Sequence, residues 1–213
     1  MALVVANQSA TAAVTPSAAT YSYSFSCTAD ANAYLVIVVA TASQSGTLNN
    51  ATYNSVGMTR VGADFVLGTG SVTYSIWKLA GPASGPNTVQ LTYSASQFNP
   101  LTVNAFSLTG CGGVGQSNNN NTATIALTVS ANSIIAATSM NTGSTGTSMT
   151  IDGISESLTW NNVSLNSSYV YGGYSTNLGA GSRTSTSVGS SNIGIIAIEF
   201  LAAIIAANTA FAI

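Results

Sequence analysis

Histidine is absent from this chain of 213 residues, and charge is nearly so: Asp, Glu, Lys and Arg together make up 4%. An ordinary soluble domain is about a quarter charged. Without an imidazole, Ser/His/Asp and Cys/His chemistry lacks its usual base. The two cysteines cannot complete a zinc site by themselves. Three cations, Arg60, Lys78 and Arg183, are too few to neutralise a phosphate backbone, so nucleic acid is excluded as a partner. Calcium wants about six to eight oxygens, several from carboxylates. The acids here, Asp30, Asp64, Asp152, Glu156 and Glu199, are scattered. No metal, no other cofactor and no catalytic residue is expected.

What fills the chain instead is Ser, Thr, Asn and Gly around a 46% hydrophobic content. That content and its local patterning argue against disorder. A surface of short neutral groups costs little to desolvate and repels little, which suits close packing against other proteins. Cys27 and Cys111 have two readings, buried small apolar residues or a single disulfide. The N-terminal MALVVANQSATAA has no basic flank and too short an apolar run for an export leader.

Short β segments divided by turn residues run along the whole chain, with no strand–helix alternation. Tyr21–Cys27 alternates, placing Tyr21, Tyr23, Phe25 and Cys27 on one face. The continuously apolar Tyr34–Ala40 reads as a strand buried on both faces. Segments at 58–67, 72–79, 89–93 and 101–108 follow. The second half repeats the style at 122–129, 133–138, 149–154, 157–160, 168–174, 183–188 and 193–201, and Gln116–Thr122 reads as a surface loop. The fold class expected is all-β, an antiparallel β-sandwich at the strand spacing of a sandwich or jelly roll. Residues 1–18 are expected as an N-terminal arm or edge strand, 19–201 as the sandwich, and 202–213 as an apolar tail.

The string Ala51-Thr52-Tyr53-Asn54-Ser55-Val56-Gly57-Met58-Thr59-Arg60-Val61-Gly62 resembles a strand–turn–strand signature of β-sandwich modules in phage virion and tail proteins and bacterial surface proteins. Its companions follow in order: Ile76-Trp77-Lys78-Leu79, Pro82, Gly85, Val89–Tyr93, Ala105–Gly110 and a closing strand like Ile193–Phe200. The resemblance covers about residues 20–200. It implies a jelly-roll-like sandwich without catalytic apparatus.

Three features are candidates for function. Tyr169, Tyr171 and Tyr174 could stack on glycans, since a tyrosine ring joins an apolar face to a polar edge. Core packing is the competing reading. Asp152 and Glu156, around Gly153, are the one close carboxylate pair, and they read as loop solubilisers. The stretch 193–213 has the length of a membrane span, but Glu199 within it and the lack of a basic flank argue against that reading. It reads instead as a closing strand followed by a tail. Ile204, Ile205, Phe211 and Ile213 of that tail must be covered, by their own domain or by a neighbouring subunit.

These readings converge on a structural virion protein on the particle surface, a capsid decoration or head-fibre-type subunit of a tailed phage. Its expected partners are coat or other virion proteins and copies of itself. The alternatives are a receptor- or glycan-binding module of a tail fibre, and an extracellular filament subunit joined by strand donation.

Overall fold

The uninterrupted apolar run Tyr34–Ala40 sets the layering, because a strand that is apolar on both faces needs a partner layer on each side. In a computed structural model, the structure describes residues 2–28, 30, 32–42, 46–67, 72–142, 148–152, 154–155, 157–165, 168–188 and 194–203. Among these there is no helix. The first half contributes β1 (Val4–Ala10), β2 (Thr20–Cys27), β3 (Tyr34–Ala42), β4 (Leu48–Tyr53), β5 (Val56–Gly57), β6 (Thr59–Arg60), β7 (Phe65–Leu67), β8 (Val72–Ala80), β9 (Gly85–Tyr93) and β10 (Leu101–Thr109). The second contributes β11 (Cys111–Asn120), β12 (Thr124–Val129), β13 (Ser133–Thr142), β14 (Ser148–Ile151), β15 (Ile154–Ser155), β16 (Ser157–Leu165), β17 (Ser168–Leu178), β18 (Gly181–Val188) and β19 (Gly194–Ala202).

The strands form four sheets, all paired antiparallel. A first inner sheet runs β1-β10-β3-β8-β6, with β7 also beside β8, and a first outer sheet runs β2-β9-β4-β5. The second inner sheet runs β11-β19-β13-β17-β16, and the second outer sheet runs β12-β18-β14-β15. Position by position the halves repeat one order. β1 corresponds to β11, β10 to β19, β3 to β13 and β8 to β17, and outside them β2 to β12, β9 to β18, β4 to β14 and β5 to β15.

Three cores separate these layers. Leu35, Ile37 and Val39 of β3 meet Val89 and Leu91 of β9 between the first two sheets. On the other face of β3, Val36, Val38 and Ala40 join Phe106, Ile134, Ile196, Ile198 and Phe200 in a central core between the two inner sheets. Ile135 and Ala137 of β13 meet Ile125, Leu127 and Met149 in the third. Each fully buried large side chain contributes about 1.5–3 kcal/mol. The all-β antiparallel sandwich architecture is as the sequence implies. Residues 19–201, expected as one sandwich, hold two sandwiches stacked face to face.

Two further expectations are corrected. Gln116–Thr122 is not a loop: through Asn120 it is the second part of β11, paired with β19 from Ser117↔Ile198 to Asn120↔Ile195. β11 is an edge strand with its polar side chains outward, so backbone pairing holds it and no apolar alternation marks it. The stretch 58–67 is two short strands, β6 and β7, rather than one. Each half also carries the same tight hairpin. Tyr53 pairs with Val56 around Asn54 and Ser55, whose φ angles of 50° and 64° are those of a primed turn. Ile151 pairs with Ile154 in the other half, where Asp152 has φ 52°.

Candidate interaction surfaces

Among the described residues, most of the few charges are in ion pairs or buried. Arg60 pairs with Asp64 at 3.3 Å, lies over the Trp77 ring at 4.9 Å and donates to the Leu48 carbonyl. Arg183 pairs with Asp152 at 2.8 Å. The Thr184 N–H and then the Arg183 guanidinium hold the Asp152 carboxyl below its usual range. Glu199 is 2% exposed. Its Oε1 accepts the Ser130 N–H at 2.6 Å, and its Oε2 accepts the Gln116 N–H at 3.2 Å. Among the described residues, only Asp30 and Lys78 are charged, outside an ion pair and not buried.

Both outer faces are consequently neutral where their strands run side by side. On the first outer sheet, Ser22, Gln90 and Thr52 form one rank across three strands, and Thr20, Thr92 and Asn50 form the next. On the second, Thr124, Thr186 and Thr150 form a rank beside Ala126 and Thr184. Hydroxyls and amides at sheet spacing offer hydrogen bonds without a charge to desolvate. At one end of the first sandwich, Phe98 stands 63% exposed on the β9–β10 connection.

The tyrosine cluster separates. β17 is continuous through Gly172 and Gly173, so alternation sends Tyr174 to the opposite face from Tyr169 and Tyr171. Tyr171, at 2% exposure, is buried on the side facing the second outer sheet. Tyr174 packs on the central core, edge-on to Phe106 with centroids 6.1 Å apart. The three rings do not form one stacking surface. Cys27 and Cys111 are both free and buried, and they lie in different cores on opposite sides of the first inner sheet. That sheet stands between them, which leaves the reading as small buried residues. Burial pushes both thiols up.

An open hollow of about 390 Å³ lies between the start of β1 and the end of β17, lined by Ala2, Leu3, Val4, Val5, Tyr174 and Thr176. Ile204, Ile205, Phe211 and Ile213 lie outside the described residues, as does Glu156, while Ala202 still belongs to β19. No helix among the described residues is long and apolar enough to cross a membrane. No group of three or more His, Cys, Asp or Glu comes together there.

Glu199 and the hollow are the features that sequence reasoning missed. In the sequence Glu199 is only a charge within an apolar run. Its position on a strand buried on both faces was the available signal that something must satisfy it. Compared with known proteins, the chain matches no family model and no curated protein.

Proposed function

We propose that this protein is a structural subunit of a virus particle, a capsid decoration or head-fibre-type subunit of a tailed phage, exposed on the virion surface. The observation that carries the reading is the disposal of charge: among the described residues all but Asp30 and Lys78 are paired or buried, and none stands in the ranked hydroxyls and amides of both outer sheets. A stable interface of ordinary size buries on the order of 1,600 Å². A neutral face forms one with little electrostatic penalty and little dependence on salt.

Two further observations support this reading. The resemblance of residues 51–62 and their companions is to modules of virion and surface proteins. The inner order β1-β10-β3-β8 and outer order β2-β9-β4-β5, repeated in the second half, fit two jelly rolls in one chain, and the jelly roll is a fold of viral capsid domains as well as of lectins. The glycan-binding alternative loses its basis, since Tyr171 is buried and Tyr174 faces away from Tyr169.

The test is the protein composition of purified particles from the source of the gene. A decoration subunit is present at a fixed, high copy number and stays bound as NaCl rises from low to moderately high concentration, while urea releases it. Low copy number with binding to isolated cell-wall glycan would overturn the reading. So would polymerisation of the purified chain with no affinity for particles.

A further inference from the structure

Among the described residues, the sheet edges are blunted in three ways, and one edge is blunted in none of them. β5, β6 and β15 are two residues long and β7 is three. β1, β11 and β16 each break register against their neighbour, between Val5 and Asn7, Cys111 and Gly113, and Leu158 and Trp160. β12, six residues long, is capped: the Asn118 amide of β11 donates to the Ala126 carbonyl at 3.0 Å. That carbonyl points away from β18. The Ser187 N–H bonds the Ala123 carbonyl, so Ile125 and Leu127 bond β18 and Ala126 between them turns outward.

The remaining edge is β2. Its eight residues TYSYSFSC hold neither charge nor proline, and its pairing runs from Thr20↔Thr92 to Cys27↔Gly85 without a shift. Among the described residues no strand lies on its other side. The Tyr93 N–H bonds the Ala19 carbonyl, so Tyr21, Tyr23, Phe25 and Cys27 exchange bonds with β9. The N–H and C=O groups of Thr20, Ser22, Ser24 and Ser26 therefore point outward, and all four residues are exposed. On the inner face of the same edge, the half-buried Tyr21 and Tyr23 rings stack with centroids 6.0 Å apart. The Tyr23 hydroxyl is buried there without a hydrogen-bond partner.

We infer that two copies of this chain pair through β2, antiparallel about a two-fold axis, joining their first outer sheets into one continuous sheet. The strand is complementary to itself. With Tyr23 on the axis, each Thr20 faces a Ser26 and each Ser22 faces a Ser24 of the other copy. Every outward N–H and C=O of the four residues then has a partner. An axis at Ser22 or Ser24 would leave one of the four facing a residue beyond the strand. In the same register Tyr21 faces Phe25 and Tyr23 faces Tyr23, aromatic pairs at the positions where cross-strand side chains lie closest. The axis thus brings together two hydroxyls that each lack a partner. The occupant is a second copy because this one strand supplies both halves of the match, with no charge to oppose itself, and such a contact uses one patch twice and closes. The inference is independent of the virion reading.

Sedimentation velocity of the full chain over a range of concentrations tests it, with far-UV circular dichroism as the check on folding. The chain is expected to sediment as a dimer that dissociates on dilution. Ser22→Lys with Ser24→Lys sets like charges opposite each other across the axis, and Ser22→Glu with Ser24→Glu does the same. Each double variant should sediment as a monomer and keep its β-sheet spectrum. Mixing the two should restore a dimer with one chain of each, because opposite charges then face. Ser24→Pro removes an outward N–H and no bond to β9, and should raise the dimer dissociation constant by about tenfold or more. Thr124→Lys with Thr128→Lys, on the capped edge of β12, should leave the dimer unchanged. Should the charged variants lose the β-sheet spectrum, Ser24→Pro decides. A monomeric wild-type chain, a dimer that survives the charged substitutions, or a mixture that stays monomeric would overturn the inference. Growth beyond the dimer would also overturn it, since two-fold pairing leaves no free β2 edge.

Discussion

Glu199 accepts the backbone N–H of Ser130 at 2.6 Å, tying the end of β12 to β19. The first half makes the same tie with a smaller residue, the Ser107 hydroxyl accepting the N–H of Thr28 at 3.1 Å, just after β2. Both acceptors sit opposite corresponding residues, Ser107 across from Leu35 and Glu199 across from Ile135. The longer acid reaches a second donor, Gln116 on β11, and a glycine makes room for it: a Cβ on Gly115 would lie 2.3 Å from Glu199 Oε2. A buried carboxylate is tolerated here because each oxygen meets a fixed N–H dipole.

Replacing Glu199 therefore strands two backbone donors. Glu199→Ala is expected to cost about 1–3 kcal/mol for each donor left without a partner, read as a lower urea midpoint. Glu199→Gln keeps one acceptor oxygen and should lose less, about 1 kcal/mol. Gly115→Ala should also destabilise, and by less in the Glu199→Ala background, since the clash is with the carboxylate itself. An unaltered midpoint for Glu199→Ala would show that water or another group replaces the carboxylate.

Alkaline pH should unfold the protein through its interior tyrosines. Burial raises Tyr93 to about 12, against which its 3.0 Å hydrogen bond to Thr41 is a smaller opposing effect. Burial also pushes Tyr23 and Tyr74 far up. An unfolded tyrosine ionises near about 10. Because the folded values are raised, the folded state holds more protons above that point. The stability these groups contribute is complete below about pH 10 and is lost as pH rises through about 12. Phenolate absorbance of the interior rings should rise in a cooperative step coincident with loss of the β-sheet signal. One smooth titration with the sheet signal retained would contradict the burial of these rings.

Strand positions were legible in the sequence, and the layering only partly so. Tyr34–Ala42 announces itself as buried on both faces, and that pattern cannot occur in a two-layer sandwich, where each sheet has one face in water. Followed through, it requires at least a third layer. Two other doubly buried strands, β10 and β13, were masked by neutral polar residues placed inside. Thr102, Asn104 and Ser107 interrupt β10, and Ser139 and Asn141 interrupt β13, although all are buried. Ser139 meets Ser187 at 2.8 Å between the second pair of sheets, as Thr41 meets Tyr93 between the first. In a chain that uses Ser, Thr and Asn both outside and inside, hydropathy loses its contrast. The separation of Tyr174 from Tyr171 was readable from parity alone, once Gly172-Gly173 is taken as part of the strand and not as its end.

The shared central core makes the strongest demand on behaviour in solution. Phe106 belongs to the first half and Phe200 to the second, and their rings lie 6.2 Å apart between the two inner sheets. Neither inner sheet can be exposed without uncovering the apolar face of the other, so the halves should unfold together in one transition by heat or urea. Phe106→Ala and Phe200→Ala should each lower the stability of the whole chain by about 3–5 kcal/mol. Because the two side chains are in contact, the double variant should cost less than the sum of the singles. Two separate transitions, with each substitution shifting only its own, would mean that the sandwiches are independent and the interface between them contributes little.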